Sequence, residues 1–135
     1  MGQKALAFGI GLAAVAVVVG VVCLAVFVGF RREVAQTVLP YKTDNLTIGA
    51  GQVYSETVRL NAGGHIEGDM TVRDNDIRLY VKDPQDKIVY DAGRFNGQKN
   101  FYIEAETEGY YTWYLDNTYS LFTSKLVFIH WRAIQ

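Results

Sequence analysis

A chain of 135 residues is long enough for one modest domain and a membrane anchor, but not for two full domains. Its formal net charge of −1 excludes the broad positive field that nucleic-acid binding requires, so we expect no nucleic-acid partner. Cys23 is the single cysteine, which excludes a disulfide within the chain and a cysteine-based zinc site.

The chain opens on a long apolar segment. Residues 5–30 contain no charged side chain, and as a helix they would span ~39 Å at about 1.5 Å per residue. About 20 apolar residues suffice to cross a bilayer, whereas the apolar part of a signal peptide has only about 7–15. The sequence therefore predicts a retained transmembrane helix within residues 1–32, with the lipid bilayer as its partner.

Small residues recur within this segment at a spacing of four. They are Gly9, Ala13, Ala16 and Gly20. This spacing lets transmembrane helices approach one another closely. The four residues are therefore candidates for helix–helix packing in the membrane.

Residues 33–45 are interpreted as a juxtamembrane linker, in which the helix can continue as far as Pro40. The sequence signals for the side of the membrane oppose each other. Arg31 and Arg32 favour a cytoplasmic location for the following domain. Asn45, in contrast, lies in an acceptor sequence for N-glycosylation, which favours an extracytoplasmic location.

Beyond the linker, the apolar pattern changes to a period of two, which is typical of half-buried strands. Turn residues separate seven such segments: QVYSETVRL, HIEGDMTV, DIRLYVKD, KIVYDAG, NFYIEAE, GYYTWYLDN and KLVFIHW. This length and spacing predict an all-β domain over residues 46–135, an antiparallel β-sandwich of about seven or eight strands.

Few residues are candidates for chemistry. His65 and His130, the only histidines in the sequence, have no carboxylate at a recognised metal-binding spacing, and we expect both to be structural or exposed. No serine lies in a nucleophile-elbow motif, and the sequence has no glycine-rich phosphate loop. We therefore predict no enzymatic activity, no catalytic residue and no cofactor.

Calcium binding stays open as an alternative. Several aspartates fall close together in the sequence, and loops of a β-sandwich can gather carboxylates around Ca²⁺: Asp69, Asp74, Asp76, Asp83 and Asp86. Positive side chains are interleaved with them, namely Arg73, Arg78, Lys82 and Lys87. Because these charges weaken the negative field, we predict no metal ligand.

Aromatic residues mark the most informative surface. If Trp113 and its odd-numbered neighbours face the core, then Tyr110 and Tyr114 point outward. Exposed tyrosines are good anchors for a partner protein, although cross-strand pairing within the sheet explains them equally well. Tyr110 and Tyr114, together with Tyr119 in the following loop, are the candidate protein-contact residues.

The loop after this aromatic strand is interpreted as structural. Asp116 and Asn117 tolerate turn geometry and bond the local backbone. Ser120 and Ser124 can cap the loop, and Lys125 can pair with Asp116. The predicted role of the loop is to connect two core strands.

The order of these pieces resembles the GOLD domain, the Golgi-dynamics module of membrane cargo receptors in the early secretory pathway. The resemblance covers about Leu46 to Trp131 and rests on IRLYVKDPQDKIVYDAG and FYIEAETEGYYTWYLDNTYSLFTSKLV. The matching residues include Asp83, Pro84, Asp116, Asn117, Ser124 and Lys125. The resemblance implies a β-sandwich that recognises proteins or assembles with its own kind, and it implies no enzyme.

This chain departs from the eukaryotic cargo receptors of that family. They carry a cysteine pair in the domain, and they place a coiled coil, the membrane helix and a coat-binding tail after it. Here the apolar segment comes first, and we expect neither a coiled coil nor a tail. Coat binding and vesicle sorting are therefore not carried over, and the sequence looks more like a prokaryotic relative. The family's luminal domain favours an extracytoplasmic location.

The sequence thus predicts a single-pass membrane protein that displays a GOLD-like sandwich for protein–protein interaction. It would act as an accessory subunit of a membrane complex or as a receptor for protein partners. A pilin-like or other self-assembling subunit is the first alternative, because a helix followed by a sandwich has that layout. A sandwich that binds Ca²⁺ or carbohydrate is the second. The sequence names neither the partner nor the oligomeric state.

Overall fold

The computed structural model describes residues 35–135, apart from the side chain of Asp74. The predicted transmembrane helix, with Gly9, Ala13, Ala16 and Gly20, lies outside the described residues. Within residues 35–135, no helix is long and apolar enough to span a bilayer.

Six antiparallel strands form the described domain: β1 (Lys42–Ile48), β2 (Val53–Leu60), β3 (His65–Lys82), β4 (Ile88–Glu104), β5 (Gly109–Asp116) and β6 (Lys125–Ile134). They are hydrogen-bonded in the order β1-β6-β3-β5-β2, and β4 pairs with β3. The antiparallel all-β sandwich expected from the alternation is confirmed.

The long hairpin β3–β4 passes from one layer of the sandwich to the other. The first half of β3 lies between β6 and the second half of β4, whereas its second half lies between β5 and the first half of β4. The first layer is therefore β1-β6-β3-β4, and the second is β2-β5-β3-β4. The pairing register shifts between Val72 and Ile77. Gly97, which pairs with Val72, has a φ of 84° that glycine adopts readily.

Two pairs of predicted strands are continuous in the structure. HIEGDMTV and DIRLYVKD are the two halves of β3, and KIVYDAG and NFYIEAE are the two halves of β4. Counted as halves, the two long strands bring the total to eight, which agrees with the number expected from the sequence.

The sheet begins earlier than the sequence pattern indicated. Strand β1 starts at Lys42, within the segment interpreted as a linker. Just before it, the backbone N–H of Thr37 donates to the carbonyl of Gln135, and that of Leu39 donates to the carbonyl of Ala133, both at 3.0 Å. Residues 37–39 therefore extend the sheet, and they do not continue a helix towards Pro40.

Alternate residues of the strands fill the space between the layers. The predicted inward positions of the aromatic strand, Tyr111, Trp113 and Leu115, are buried. They pack with apolar residues from the other core strands, including Ile66, Met70, Leu79, Val81, Phe101, Ile103, Val127, Ile129 and Trp131. Full burial of one such side chain stabilises a fold by about 1.5–3 kcal/mol. Because residues 35–135 contain no cysteine, this packed core, and not disulfide bonds, is the main source of the domain's stability.

Candidate protein-interaction surfaces

The outer face of the second layer carries a stacked pair of tyrosines. Tyr80 on β3 and Tyr114 on β5 are cross-strand partners, with ring centroids 4.8 Å apart and an interplanar angle of 11°. The guanidinium of Arg78 lies 4.9 Å from the Tyr80 ring, and the ammonium of Lys82 lies 5.7 Å from the Tyr114 ring. Tyr114 therefore points outward and also pairs within the sheet.

Tyr110 lies on the same outer face and is the most exposed tyrosine of the described domain, at 61%. Alternation along β5 places it four residues from Tyr114, on the same side of the strand. The sequence prediction named Tyr110 and Tyr114 but did not single out Tyr80. The alternation of DIRLYVKD contained that signal, because it places Tyr80 opposite the buried Leu79 and Val81.

Tyr119 is held within the domain, away from this face. Its hydroxyl donates to the backbone carbonyl of Asp76 at 2.5 Å, and the guanidinium of Arg94 lies 3.7 Å from its ring centroid. Burial raises the pKa of the Tyr119 phenol. Tyr119 therefore ties the β5–β6 loop, in which it lies, to Asp76 of β3.

Asn117 is the buried anchor of the β5–β6 loop. Its side-chain amide donates to the carbonyls of Ile48 at 3.2 Å, Gly49 at 2.9 Å and Thr123 at 2.9 Å. Its backbone N–H donates to the carbonyl of Gln52 at 2.9 Å. One side chain thereby ties the β1–β2 connection to the β5–β6 loop.

The carboxylates of the two predicted turns bond their local backbone. Asp83 accepts hydrogen bonds from the backbone N–H groups of Gln85 at 3.0 Å and Lys87 at 2.9 Å. Asp116 accepts from the backbone N–H of Thr118 at 2.8 Å. Pro84 packs against Gly109, where an added Cβ would collide with the proline ring.

Lys125 is buried, and its partner differs from the one expected. Its ammonium donates to the Thr123 hydroxyl at 3.2 Å and lies 4.0 Å from a carboxylate oxygen of Asp76. Asp76 also pairs with Arg94 at 2.7 Å. The expected pair with Asp116 is not formed, because Asp76 faces Lys125 from the bend of β3 and Asp116 bonds its own turn.

The β5–β6 loop ends in two exposed apolar side chains. Leu121 is 79% exposed and Phe122 is 92% exposed; together they form the apolar tip. Beneath the tip, the Ser120 hydroxyl donates to the carbonyl of Thr123 at 3.0 Å, and the Thr123 backbone N–H donates to Ser120 Oγ at 3.2 Å. Ser120 therefore caps the loop as expected, whereas Ser124 is exposed. The apolar tip was missed, although a Leu-Phe pair between polar residues was its signal.

A cleft of about 370 Å³ opens beside the edge strand β1; it is the edge cleft. Its apolar lining comes from Leu39, Pro40, Tyr41, Trp131 and Ala133. At its mouth, the ammonium of Lys42 on β1 donates to Glu56 on β2 at 2.5 Å, and this bond raises the pKa of Lys42. The ion pair spans the open side between the two layers.

The outer face of the first layer carries both histidines of the chain. His130 stacks on Tyr41 with ring centroids 4.2 Å apart, and it lies 3.4 Å from Asp69. Next to it, Arg132 donates to Glu67 at 2.7 Å, and this bond lowers the pKa of the Glu67 carboxyl. Each group of this network has a partner in the domain.

The aspartates considered for Ca²⁺ do not converge. Asp69 lies beside His130, Asp76 beside Arg94, and Asp86 beside Lys82. Within the part of the chain that the structure describes, no group of three or more His, Cys, Asp or Glu side chains is arranged to hold a metal ion. The fold places these carboxylates beside different cationic side chains, which their proximity in the sequence did not reveal.

A family model described as emp24/gp25L/p24 family/GOLD matches residues 44–135. The fold is also similar to that of a periplasmic inhibitor of g-type lysozyme, PliG from Aeromonas hydrophila. The two share 12% identity and a TM-score of 0.50 over 70% of this chain and 86% of that one. A de novo designed double-stranded β-helix is similar at 14% identity and a TM-score of 0.42, over 68% of this chain and 97% of that one. The comparison with curated protein sequences gives no match.

Proposed function

This chain belongs to the emp24/gp25L/p24 family/GOLD, and we propose that it is a membrane-anchored module that binds protein partners through Tyr80, Tyr110 and Tyr114. These residues form the tyrosine face. The anchor is the uncharged segment 5–30, and the domain lies on the extracytoplasmic side. The family supports a protein-binding, cargo-receptor-like module, and we propose no enzymatic activity.

The stacked pair of Tyr80 and Tyr114 is the observation that carries this proposal. Stacking holds both rings in place before a partner arrives, so little side-chain entropy remains to be lost on binding. Tyrosine also combines a large apolar area with a polar hydroxyl, which is why it is enriched at the energetic centres of protein interfaces. The exposed Tyr110 extends this prearranged surface along β5.

The charges around the tyrosine face indicate what kind of partner it suits. Arg78 pairs with Asp91 at 2.6 Å, and Lys82 pairs with Asp86 at 2.9 Å. Because each cation already has a carboxylate partner, the face presents aromatic area with little unbalanced charge. We therefore expect a partner with an apolar or aromatic patch, and an affinity that depends only weakly on salt.

The anchoring and the side of the membrane are part of the proposal. Asn45 lies on β1 and is exposed, as is Thr47 two residues later, so both residues of the glycosylation sequence are accessible. A glycan on Asn45 in a eukaryotic membrane expression system would support an extracytoplasmic domain. For protein at the cell surface, a membrane-impermeant label can be added to intact cells. Labelling of residues 42–135 only after the plasma membrane is permeabilised would contradict an extracytoplasmic domain.

The test is affinity capture of the full-length protein in mild detergent, followed by mass spectrometry. We expect a defined partner that Tyr110→Ala and Tyr114→Ala each deplete by on the order of tenfold. Tyr102→Ala is the matched control, because Tyr102 is 54% exposed but lies on the second half of β4, in the first layer. Partner capture that survives both tyrosine-face substitutions in folded protein would overturn the assignment.

A further inference from the structure

We propose that a groove on the outer face of the first layer binds a small organic cation, an alkylammonium compound. This first-layer groove has a volume of about 320 Å³, and its lining includes Tyr41, Glu67, Asp69, Asn100 and Tyr102. Sites for small molecules enclose about 300–1,000 Å³, so the groove suits a ligand of a few atoms. None of its lining residues belongs to the tyrosine face, and the two proposals can be tested separately.

Both tyrosines of the first-layer groove are exposed, and each is held by a histidine. Tyr41 is 47% exposed and stacks on His130, with ring centroids 4.2 Å apart. Tyr102 is 54% exposed, and its ring centroid lies 4.6 Å from that of His65. The face of a tyrosine ring attracts a cation. Because the two rings are already positioned, little side-chain entropy is lost when a cation binds beside them.

The groove carries a negative charge that no permanent cation balances within the described residues. Glu67 is neutralised by Arg132, whose guanidinium donates to it at 2.7 Å and also lies 4.4 Å from the Tyr41 ring. Asp69 has His130 beside it at 3.4 Å, and a histidine is not a permanent cation as an arginine is. Among the described residues, no lysine or arginine lines the groove. The remaining charge of Asp69 therefore favours a positively charged ligand.

Asp69 and Asn100 supply acceptors for the charged head of such a ligand. They are directly opposite each other in the register of β3 with β4, so their Cβ atoms lie about 4.5–5.5 Å apart on one face of the sheet. An ammonium group has three N–H donors, and it can donate to the Asp69 carboxylate and to the Asn100 side-chain carbonyl together. The alkyl part of the ligand then lies against the apolar area of the tyrosine rings.

Three other classes of ligand fit the groove less well. An anion would be repelled by the carboxylates of Glu67 and Asp69. A calcium ion takes six or more oxygen ligands, and within residues 35–135 no group of three or more His, Cys, Asp or Glu side chains is arranged to hold a metal ion. A neutral sugar would pack on the tyrosines but would leave the charge of Asp69 without a cationic partner. An organic cation uses both the rings and the carboxylate.

Titration of the isotope-labelled full-length protein in mild detergent tests the site. n-Butylammonium chloride is added at neutral pH and constant ionic strength, and the backbone amide signal of Gly68, which lines the groove, is followed by NMR. We expect a saturable shift, and an affinity for n-butanol lower by about tenfold or more, because n-butanol lacks the charge. Methyl glucoside is titrated in parallel. The absence of a saturable shift with n-butylammonium, or an equal or higher affinity for n-butanol or methyl glucoside, would overturn the proposal.

Substitutions distinguish the groove from non-specific binding of the cation. Asp69→Asn keeps the shape but removes the charge, and it should weaken n-butylammonium binding by on the order of tenfold. Tyr102→Leu removes the ring but keeps an apolar side chain, with an expected loss of about two- to fivefold. Glu106→Gln, which changes an exposed carboxylate outside the groove, is the matched control. Tyr110→Ala and Tyr114→Ala should bind n-butylammonium as the unaltered protein does. Equal affinities of Asp69→Asn and the unaltered protein would overturn the assignment.

Discussion

The indole of Trp113 on β5 meets the indole of Trp131 on β6 edge to face, with ring centroids 5.8 Å apart and an interplanar angle of 74°. The contact joins the second layer of the sandwich to the first. Within the described residues, neither indole N–H has a hydrogen-bond acceptor, although both are buried. The pair therefore stabilises the domain by packing, not by hydrogen bonding.

Trp131→Ala is expected to lower the free energy of unfolding by about 3–5 kcal/mol, because it leaves a cavity between the layers. Trp131→Phe should cost much less, since it keeps an aromatic ring and removes an N–H that has no acceptor. Urea denaturation of the full-length protein in detergent, followed by far-ultraviolet circular dichroism, measures both. Equal losses for the two substitutions would show that the packing account is wrong.

Asn117→Ala should destabilise the domain by about 3 kcal/mol, because three carbonyls lose their donor and become unsatisfied. Asn117→Asp keeps the shape but turns a donor into an acceptor that faces those carbonyls, so we expect at least the same loss. Thermal unfolding compares them with Asn100→Ala, a change at an exposed position. A mild effect of Asn117→Asp would mean that shape alone holds the loop.

Substitutions of Asp76 and of Lys125 should lower the free energy of unfolding by different amounts. Lys125→Met replaces a buried charge by an apolar chain of similar length, and we expect a change within about 1 kcal/mol. Asp76→Ala removes the carboxylate that faces both Arg94 and the buried ammonium, with an expected loss of about 2–3 kcal/mol. Chemical denaturation of both variants at neutral pH tests the order. The reverse order would contradict the assigned pairing.

The Arg132–Glu67 pair predicts a dependence of stability on pH. Arg132 lowers the pKa of the Glu67 carboxyl below its ordinary value of 4.5. The folded state therefore binds the proton less readily than the unfolded state. The stabilisation is present above pH 4.5 and is lost as the pH falls through the lowered pKa.

Glu67→Gln should therefore cost about 1 kcal/mol at pH 7 and flatten the fall in stability below pH 4.5. Glu104→Gln, at an exposed position near the end of β4, serves as the control. The measurement is the urea concentration at the midpoint of unfolding, determined between pH 3 and pH 7 for both variants and the unaltered protein. If the plot of urea midpoint against pH for Glu67→Gln ran parallel to that of the unaltered protein, the assigned role of Glu67 in the loss of stability at low pH would be refuted.

The sequence pattern revealed the core faces of most strands but not the first strand. Tyr111 and Trp113 were correctly expected to be buried, because alternate positions of their strand face the same side over several residues. Strand β1 alternates less clearly, since Lys42 and Asp44 occupy the positions in line with Leu46 and Ile48. A charged residue fits there because β1 is an edge strand and Lys42 reaches Glu56 across the open side.

The candidate contact surface was predictable only in part. Alternation placed Tyr110 and Tyr114 outward, but the stacking of Tyr114 on Tyr80 depends on which strands are neighbours. Tyr119 and Lys125 likewise acquired their partners from Asp76, about 45 residues earlier in the chain. Such contacts follow from pairing between distant segments, which no local pattern encodes.

The sequence by itself determined the class of the domain, the inward-facing residues of every strand except β1, and the family, because alternation and motif order are local properties of a chain. Only the tertiary structure decided that β3 and β4 serve both layers, that Lys42 meets Glu56, and that Tyr41 and Tyr102 line one groove. These features depend on the register between strands far apart in sequence, and register is set by the packing of the whole sheet.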